Sequence, residues 1–139
     1  MTGVARYGSG GPWEESIGYS RVVAAGPFVL SAGCTSTVDG RVAHVGDAAG
    51  QAREAFRIAL DGLARAGAHR EHVVRTRMYV VRRADTDVVG GVHGELFADV
   101  RPVATMVLVS GLYHPDHLVE VEVEAYVPPA PAPAPLSGQ

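Results

Sequence analysis

Three glutamates at two-residue spacing near the end of the chain are its strongest candidates for acid–base chemistry. Glu120, Glu122 and Glu124 alternate with apolar residues, so they project from one face of a predicted strand. Carboxylates this close repel one another unless cations on a neighbouring strand balance them. Arg75 and Arg77 have the same spacing, which predicts cross-strand ion pairs with Glu122 and Glu124. Glu120 lies nearest the preceding turn, and we expect it to face a cleft.

Nucleophilic and metal chemistry have weaker support. Cys34 is the only cysteine, and it follows a glycine at a predicted strand end, where a ligand could reach it. However, no adjacent residue supplies a base, and a lone cysteine is more often a small buried residue. His114 and His117 flank Asp116 in a predicted turn, whereas a metal ion needs three or four ligands fixed in space. We therefore predict no metal site. His93 lies in a glycine-rich helical segment and could reach a pocket.

The composition excludes several classes of protein. All twelve basic residues are arginines, so a lysine Schiff base is excluded, and with it pyridoxal-type chemistry. A phosphate-binding loop that ends in Gly-Lys-Ser/Thr is excluded for the same reason. A formal net charge of −3 gives no attraction to nucleic acid, and no apolar run approaches the ~20 residues of a membrane span. With no secretory signal predicted, we expect a cytoplasmic protein.

The candidate residues must be positioned by a small α+β domain. A chain of 139 residues is long enough to bury one core. The predicted order is a hairpin, a helix, a strand, a second helix and two further strands, which indicates two helices on one face of a mixed sheet. The predicted hairpin pairs Tyr19–Ala25 with Phe28–Ala32 around Gly26-Pro27. A short strand is predicted at Val4–Tyr7, and a tight turn at residues 38–42.

The first helix has the clearest pattern. Asp47 is a plausible N-cap, Gly67 fits the position after the helix, and apolar residues recur on one face between them. Gln51 is assigned to the opposite, polar face. The second helix is predicted to begin at Asp85 or Thr86 and to end near Ala98.

The last three strands are predicted at His72–Val81, Val103–Ser110 and Leu118–Val127. The first is predicted to place Val74, Thr76, Met78 and Val80 on one face and Arg75, Arg77 and Tyr79 on the other. Val103–Ser110 is apolar on both faces, which predicts a central strand covered on both sides. Two helices cannot cover both faces of the sheet, so we expect the open face to be hidden by oligomerisation.

The two ends of the chain carry little structural information. Residues 1–127 are predicted to form the folded domain, and residues 128–139, rich in proline and alanine, to form a disordered tail. Trp13 either covers a pocket or pins the N-terminal loop to the core.

Taken together, several segments resemble the RidA family, also called YjgF or L-PSP endoribonuclease-like proteins. The resemblance covers Trp13 to Val127, and its motifs stand in family order and at family spacing. They are IGYSRVV at 17–23, VLSAG at 29–33, QAREAF at 51–56, VVRTRMYV at 73–80, HGELFADVRP at 93–102 and LVEVEVEAY at 118–126. The resemblance implies a chorismate-mutase-like α+β fold, a homotrimer, and small-molecule clefts at the subunit interfaces.

The resemblance also implies a chemistry. Active members deaminate enamines or imines such as 2-aminoacrylate by adding water, without metal or cofactor. An arginine in their Pro-Ala-Arg-Ser/Thr motif binds the substrate carboxylate through a bidentate contact. Here that position holds Ala104, as in a branch of the family that lacks the arginine, so the activity or its specificity is altered.

The remaining candidate site residues follow from the same resemblance. Tyr19 matches the family's pocket tyrosine and Glu120 matches the acid that orients water, and both are predicted to be catalytic. Gly33 matches the glycine whose backbone lines the cleft, and Thr105 matches the hydroxyl residue after the missing arginine. Arg101 would replace the lost charge only if the strand start bends inward. Cys34, His93, Phe97 and Ala104 complete the predicted ligand-binding set.

Three functions remain open at this point. The first is a trimeric hydrolase or deaminase of altered specificity that acts on a small molecule. The second is a non-catalytic binding or regulatory trimer. The third, endoribonuclease activity, is disfavoured by the negative net charge.

Overall fold

The structure is a computed structural model that describes residues 3–137. Within that range eight strands and two α-helices follow one another along the chain. In order they are β1 (Val4–Tyr7), β2 (Val22–Ala25), β3 (Phe28–Ser31), β4 (Thr37–Val38), β5 (Arg41–Val42), α1 (Ala48–Arg65), β6 (Val73–Val80), α2 (Thr86–Phe97), β7 (Val103–Leu108) and β8 (Val119–Tyr126). Short helical turns occupy Glu14–Gly18, Arg70–His72 and Arg83–Asp85.

Six of the strands form one mixed sheet in the order β1-β2-β3-β8-β6-β7. Only β6 and β7 run parallel, because α2 connects them as a crossover; the other neighbours are antiparallel. The core lies between this sheet and the helices, and β8 contributes Val119, Val121 and Val123 to it. This confirms the predicted α+β class with a mixed sheet and two main helices.

Helix α1 begins and ends where its sequence predicts. The Asp47 carboxylate accepts a hydrogen bond from the Gly50 N–H at 3.0 Å, which satisfies one of the free donors of the first turn. Gly67 follows the helix with φ at +84°, a conformation that glycine adopts without strain. The prediction was wrong for Gln51, whose side chain is fully buried because it binds backbone groups of two neighbouring loops.

The open face of the sheet carries the predicted ion pairs. Arg77 Nη1 contacts Glu124 at 2.8 Å and Glu122 at 3.4 Å, and Arg75 lies 3.6 Å from Glu124. The Tyr79 hydroxyl donates a hydrogen bond to Glu122 at 2.7 Å. The cross-strand register of β6 and β8 therefore balances two of the three glutamates.

Two strand predictions need correction. β7 is an edge strand, not a central one, and Val103, Val107 and Leu108 are 57%, 43% and 38% exposed. The apolar side chains of β7 are therefore not all buried within one protomer. Val74 is also exposed, because the β6–β8 register shifts between Val73 and Arg75 and turns Val74 away from the covered face.

The ends of the chain add no regular element after β8. From Val127 to residue 137 the described chain has no helix or strand, and the predicted disorder of this tail stays a prediction. Residues 1–2 and 138–139, to which the sequence predictions also extend, lie outside the described residues. In the described part of the chain, no helix has the length and apolar character needed to cross a membrane.

Candidate functional site

An open groove of about 1370 Å³ is lined by residues from four parts of the fold. It lies between the N-terminal loop, the β4–β5 hairpin, the outer side of α1 and the loop that precedes β8. Clefts of this kind, with a few convergent polar groups, are the usual sites for small molecules. The side chains that matter below are Trp13, Ile17, Tyr19, Arg21, Gly33, Arg57, Arg65, Tyr113, His114, His117 and Glu120.

Gly33 and Glu120 meet at the floor of the groove. Two backbone hydrogen bonds between Cys34 and Val121, at 2.8 and 2.9 Å, join the end of β3 to the start of β8. This pairing brings the Glu120 carboxylate against Gly33: a Cβ atom built on Gly33 would come within 3.0 Å of Glu120 Cδ and overlap Oε1. Glycine at position 33 therefore leaves room for the carboxylate.

The environment of Glu120 favours its protonated form. Burial raises the pKa of Glu120, and the nearby Glu122 raises this pKa further, while the charge of Arg21 opposes both effects. No arginine or histidine of residues 3–137 lies within salt-bridge distance of Glu120, unlike Glu122 and Glu124. A carboxyl group with a raised pKa beside a groove is suited to general acid–base catalysis.

Arg21 also reaches this floor, a position that was not predicted from the sequence. Its Nη1 donates a hydrogen bond to the Gly33 carbonyl oxygen at 2.8 Å and lies 3.6 Å from Cys34 Sγ. The Arg21 Cζ lies 5.8 Å from the centre of the Tyr19 ring, within the range of a cation–π contact. The two-residue spacing of Tyr19 and Arg21 was the available signal, since residues i and i+2 share one face of an extended segment.

Tyr19 and Trp13 are positioned by the N-terminal loop. The Tyr19 N–H donates to the Glu14 carbonyl oxygen at 3.0 Å, and the Glu14 carboxylate accepts from the backbone of Ser9 and Gly11 at 2.9 and 3.1 Å. These bonds shape the loop that presents Trp13. Of the two roles left open for Trp13, the structure favours the pocket role, because Trp13 lines the groove and remains 49% exposed.

Two histidines line the groove on the loop that precedes β8. His117 is buried, and its Nε2 lies 3.1 Å from the Thr37 hydroxyl. Burial lowers the pKa of His117; the nearby His114 lowers this pKa further, and Asp116 opposes the change. His117 therefore favours the neutral form. Among the described residues, no three histidine, cysteine, aspartate or glutamate side chains are grouped so that they could hold a metal ion.

Gln51 holds this histidine-bearing turn against α1. Its amide nitrogen donates to the carbonyl oxygens of His44 and Asp116, at 3.2 and 2.9 Å, and its amide oxygen accepts from the Leu118 N–H at 2.8 Å. One buried side chain thus satisfies three backbone groups near the start of β8. The helical pattern could not reveal this, because all three partners lie outside the helix.

Cys34, His93 and Phe97 lie outside the groove. Cys34 is buried beneath Arg21, and burial raises the pKa of its thiol while Arg21 opposes the rise, which disfavours the nucleophilic thiolate. His93 Nε2 lies 2.7 Å from the Thr76 hydroxyl, and the His93 and Phe97 rings are 4.8 Å apart. His93 thus joins α2 to β6, and both rings pack against Phe56 of α1, with ring centres 5.8 and 5.4 Å away. Burial lowers the pKa of His93.

Arg101, Ala104 and Thr105 lie at the opposite edge of the sheet from β1. Three strand spacings separate β7 from β3, roughly 14 Å, and none of these three residues lines the groove. The chain bends at Arg101, where φ is +57°, but its exposed side chain does not join the groove. Thr105 pairs with Arg77, and Ala104 with Thr76. Within one protomer the predicted site residues therefore do not form a single site: Tyr19, Gly33 and Glu120 line the groove, and the other six do not.

The fold and the groove define a class of protein: an α+β domain with an open groove whose floor combines a carboxyl group and a guanidinium group. The family is settled by sequence. The chain belongs to the family described as Endoribonuclease L-PSP, also known as the RidA or YjgF family, whose sequence model matches residues 14–127. The resemblance noted in the sequence is confirmed.

Individual relatives support the same assignment. The chain is 45% identical over 123 residues to an uncharacterized protein of Streptomyces coelicolor, which covers 88% of this chain and 92% of the relative. It is 35% identical over 86 residues, 62% of this chain and 68% of the relative, to the 3-aminoacrylate deaminase RutC of Acinetobacter baylyi.

A solved structure agrees with the fold. The crystal structure of a YjgF-family member from Mycobacterium tuberculosis is 42% identical and superposes with a TM-score of 0.81, covering 90% of this chain and all of that one.

Proposed function

We propose that this protein is a small-molecule hydrolase that deaminates an enamine- or imine-type metabolite in the groove. The observation that carries the proposal is the half-buried Glu120 carboxyl group, which has a raised pKa and lies against Gly33. The similarity to a 3-aminoacrylate deaminase supports the same reaction class, because 3-aminoacrylate is itself an enamine.

The proposed chemistry needs one acid–base group and water. Protonated Glu120 gives its proton to the carbon atom adjacent to the amine-bearing carbon of the enamine, which converts the C=C bond into an iminium. Water adds to the iminium carbon, its surplus proton returns to Glu120, and the Tyr19 hydroxyl orients the water. The resulting carbinolamine loses ammonia and leaves a carbonyl group. One enamine and one water molecule thus yield one carbonyl compound and one ammonia, with no change of oxidation state.

We also propose that the protein acts as a homotrimer. The apolar edge strand β7 supports this, since Val103 and Val107 are 57% and 43% exposed in one protomer. Exposed apolar edges are normally covered by a partner. A neighbouring protomer that packs β7 beside the groove would unite Ala104 and Thr105 with Glu120, so the cleft would lie at the subunit interface.

We do not extend the proposal to RNA cleavage. The chain has a net charge of −3, and each of the three groove arginines already binds a protein group. Arg57 binds Asp61 at 2.7 Å, Arg65 binds the Gly8 carbonyl oxygen at 2.7 Å, and Arg21 binds the Gly33 carbonyl oxygen at 2.8 Å. Binding to a phosphate backbone requires several uncommitted cations.

The test measures ammonia release from two enamines. One is 3-aminoacrylate, and the other is 2-aminoacrylate, which a coupled enzyme generates in the cuvette. Wild-type protein should accelerate release from at least one of them above the spontaneous rate, and Glu120→Gln should remove most of that acceleration. Glu95→Gln, at an exposed position of α2, is the matched control and should retain it. If neither enamine is hydrolysed faster than in buffer, the deaminase proposal fails and the non-catalytic binding protein becomes the better description.

A further inference from the structure

Arg21 differs from the other two arginines that line the groove. Arg57 makes ion pairs with Glu54 and Asp61. Arg65 binds the Gly8 carbonyl oxygen and lies over the Tyr7 ring. Arg21, by contrast, contacts only neutral groups, and no carboxylate of the described residues lies within salt-bridge distance of it. Arg21 therefore brings a positive charge to the groove floor that no protein carboxylate in direct contact balances.

The contacts of Arg21 also leave one side of its guanidinium available. Both of its hydrogen-bond contacts, to the Gly33 carbonyl oxygen and to Cys34 Sγ, are made by Nη1. Among residues 3–137 the Nε and Nη2 atoms have no acceptor. These two nitrogens form the side of a guanidinium that binds a carboxylate through two parallel hydrogen bonds. The Gly33 carbonyl oxygen thus holds the guanidinium group through Nη1, while the edge formed by Nε and Nη2 stays open.

The groove also presents apolar surface at its rim. Trp13 and Tyr113 meet edge to face with ring centres 5.4 Å apart, yet they remain 49% and 86% exposed. Ile17, which also lines the groove, is 68% exposed. Large aromatic side chains left exposed in a cleft are typical contact surfaces for the apolar part of a ligand.

We propose that Arg21 binds the carboxylate of the substrate and that the Trp13–Tyr113 pair contacts its apolar body. The inference rests on the proposed function and names its substrate class: a 2-enamino acid, or its 2-imino tautomer, with a bulky apolar or aromatic side chain. Arg21 would then supply the carboxylate contact for which Ala104 provides no charge. The expected product is the corresponding 2-oxo acid, together with ammonia.

A carboxylate held by Arg21 lies at the same glycine as the proton donor. Arg21 binds the Gly33 carbonyl oxygen, and Glu120 lies against the Gly33 α-carbon. The substrate anion would screen the charge of Arg21 from Glu120, and that charge is what favours the ionised form of Glu120. Binding of the substrate would therefore keep Glu120 protonated until it is needed as the acid.

The test uses three stable probes that separate charge from apolar contact. They are 3-phenylpropionate, its neutral isostere 3-phenylpropionamide, and propionate, which lacks the ring. Calorimetry gives each dissociation constant, and the fluorescence of Trp13, the single tryptophan, reports whether the groove is occupied. The wild type should bind 3-phenylpropionate roughly tenfold tighter than either of the other probes, a difference of about 1.4 kcal/mol for each.

Variants at position 21 separate this contact from general electrostatics. Arg21→Gln should bind the acid and the amide equally, whereas Arg21→Lys should keep part of the preference because it keeps the charge but loses the planar two-point contact. Arg83→Gln, which makes the same charge change outside the groove, should behave as wild type. The comparison of acid with amide on the wild-type protein needs no variant, so it decides the question even if Arg21→Gln does not fold.

The outcomes distinguish this inference from the deaminase proposal. Equal affinity of wild-type protein for the acid and the amide would overturn the Arg21 contact, as would enamine hydrolysis that Arg21→Gln leaves unchanged. An Arg21-dependent preference for the acid, in a protein that hydrolyses no enamine, would uphold the contact and remove only the deaminase activity.

Discussion

The Glu120 carboxylate occupies the space into which a side chain at position 33 would project. Because Gly33 has no side chain, the Glu120 carboxyl group can lie on the groove floor. There it is close to the Gly33 carbonyl oxygen, which accepts a hydrogen bond from Arg21. A glycine at the end of a strand often marks such a close approach. The two residues are 87 positions apart, and only the pairing of β3 with β8 brings them together.

Gly33→Ala should impair activity more than stability. The new methyl group would overlap Glu120 Oε1, and the end of a flexible side chain moves aside more readily than backbone does. We expect a large fall in enamine hydrolysis and a small shift in thermal midpoint. Gly91→Ala is the matched control, because a Cβ atom there meets nothing within 4 Å; it should keep full activity. Retention of wild-type activity by Gly33→Ala would contradict the assigned position of the Glu120 carboxylate.

Glu120 should make stability fall as the pH rises. Its folded-state pKa lies above the ordinary value of 4.5, so the folded state binds the proton more tightly than the unfolded chain does. The resulting stabilisation is complete below the unfolded pKa and is lost as the pH rises through the folded pKa. Urea unfolding at a series of pH values should therefore show the wild type losing stability relative to Glu120→Gln across this window. A difference between them that does not change with pH would refute the raised pKa.

His93 and His117 should act in the opposite direction. Burial lowers the pKa of each, so the unfolded chain binds their protons more tightly, and stability should fall as the pH drops from the ordinary histidine value of 6.5 through the lowered folded values. His93→Gln should reduce this acid sensitivity, measured as the slope of unfolding free energy against pH. His69→Gln, at an exposed position, is the control and should leave the slope as it is.

Replacing Gln51 should destabilise the fold strongly. Gln51→Leu keeps a similar side-chain volume but leaves the Leu118 N–H and two carbonyl oxygens without their partner. Loss of buried hydrogen-bond partners of this kind costs about 2–4 kcal/mol in total. Urea denaturation measures the change, and Arg53→Ala, at an exposed position on the same helix, should leave the midpoint nearly unchanged. An unaltered midpoint for Gln51→Leu would mean that water satisfies these groups equally well.

The proposed trimer can be tested on β7. Light scattering of the wild type should give three times the 14.5 kDa chain mass, and Val103→Lys should lower it, because a buried unpaired charge opposes association. Val88→Lys, which introduces the same charge at a similarly exposed valine of α2, should leave the mass unchanged. A wild-type mass equal to one chain would remove the trimer and the interface cleft together.

Local patterns in the sequence were sufficient for most elements of the fold. The Asp47 cap and Gly67 bound α1, and strict alternation in β8 assigned its valines to the core and its glutamates to the open face. Such features depend on residues only a few positions apart, so their physics is contained in the local sequence. The ion pairs of β6 with β8 also followed, because the two strands share the same charge spacing.

The candidate site is formed by contacts between residues that are far apart in the sequence, and local patterns do not predict such contacts. Gln51 appeared polar and therefore exposed, but its partners lie on loops from other parts of the chain. The apolar pattern of β7 predicted a central strand, although apolar residues at a sheet edge have the same pattern when a partner covers them.

By itself, then, the sequence determined the fold class, the caps, the charge pattern of the open face and the family. The tertiary structure decided that Arg21 and Glu120 meet at Gly33, and that Ala104 lies on a different edge of the sheet. The physical reason is that helices and strands form from interactions between near neighbours, whereas a site forms where strand order and register bring distant residues within a few ångströms.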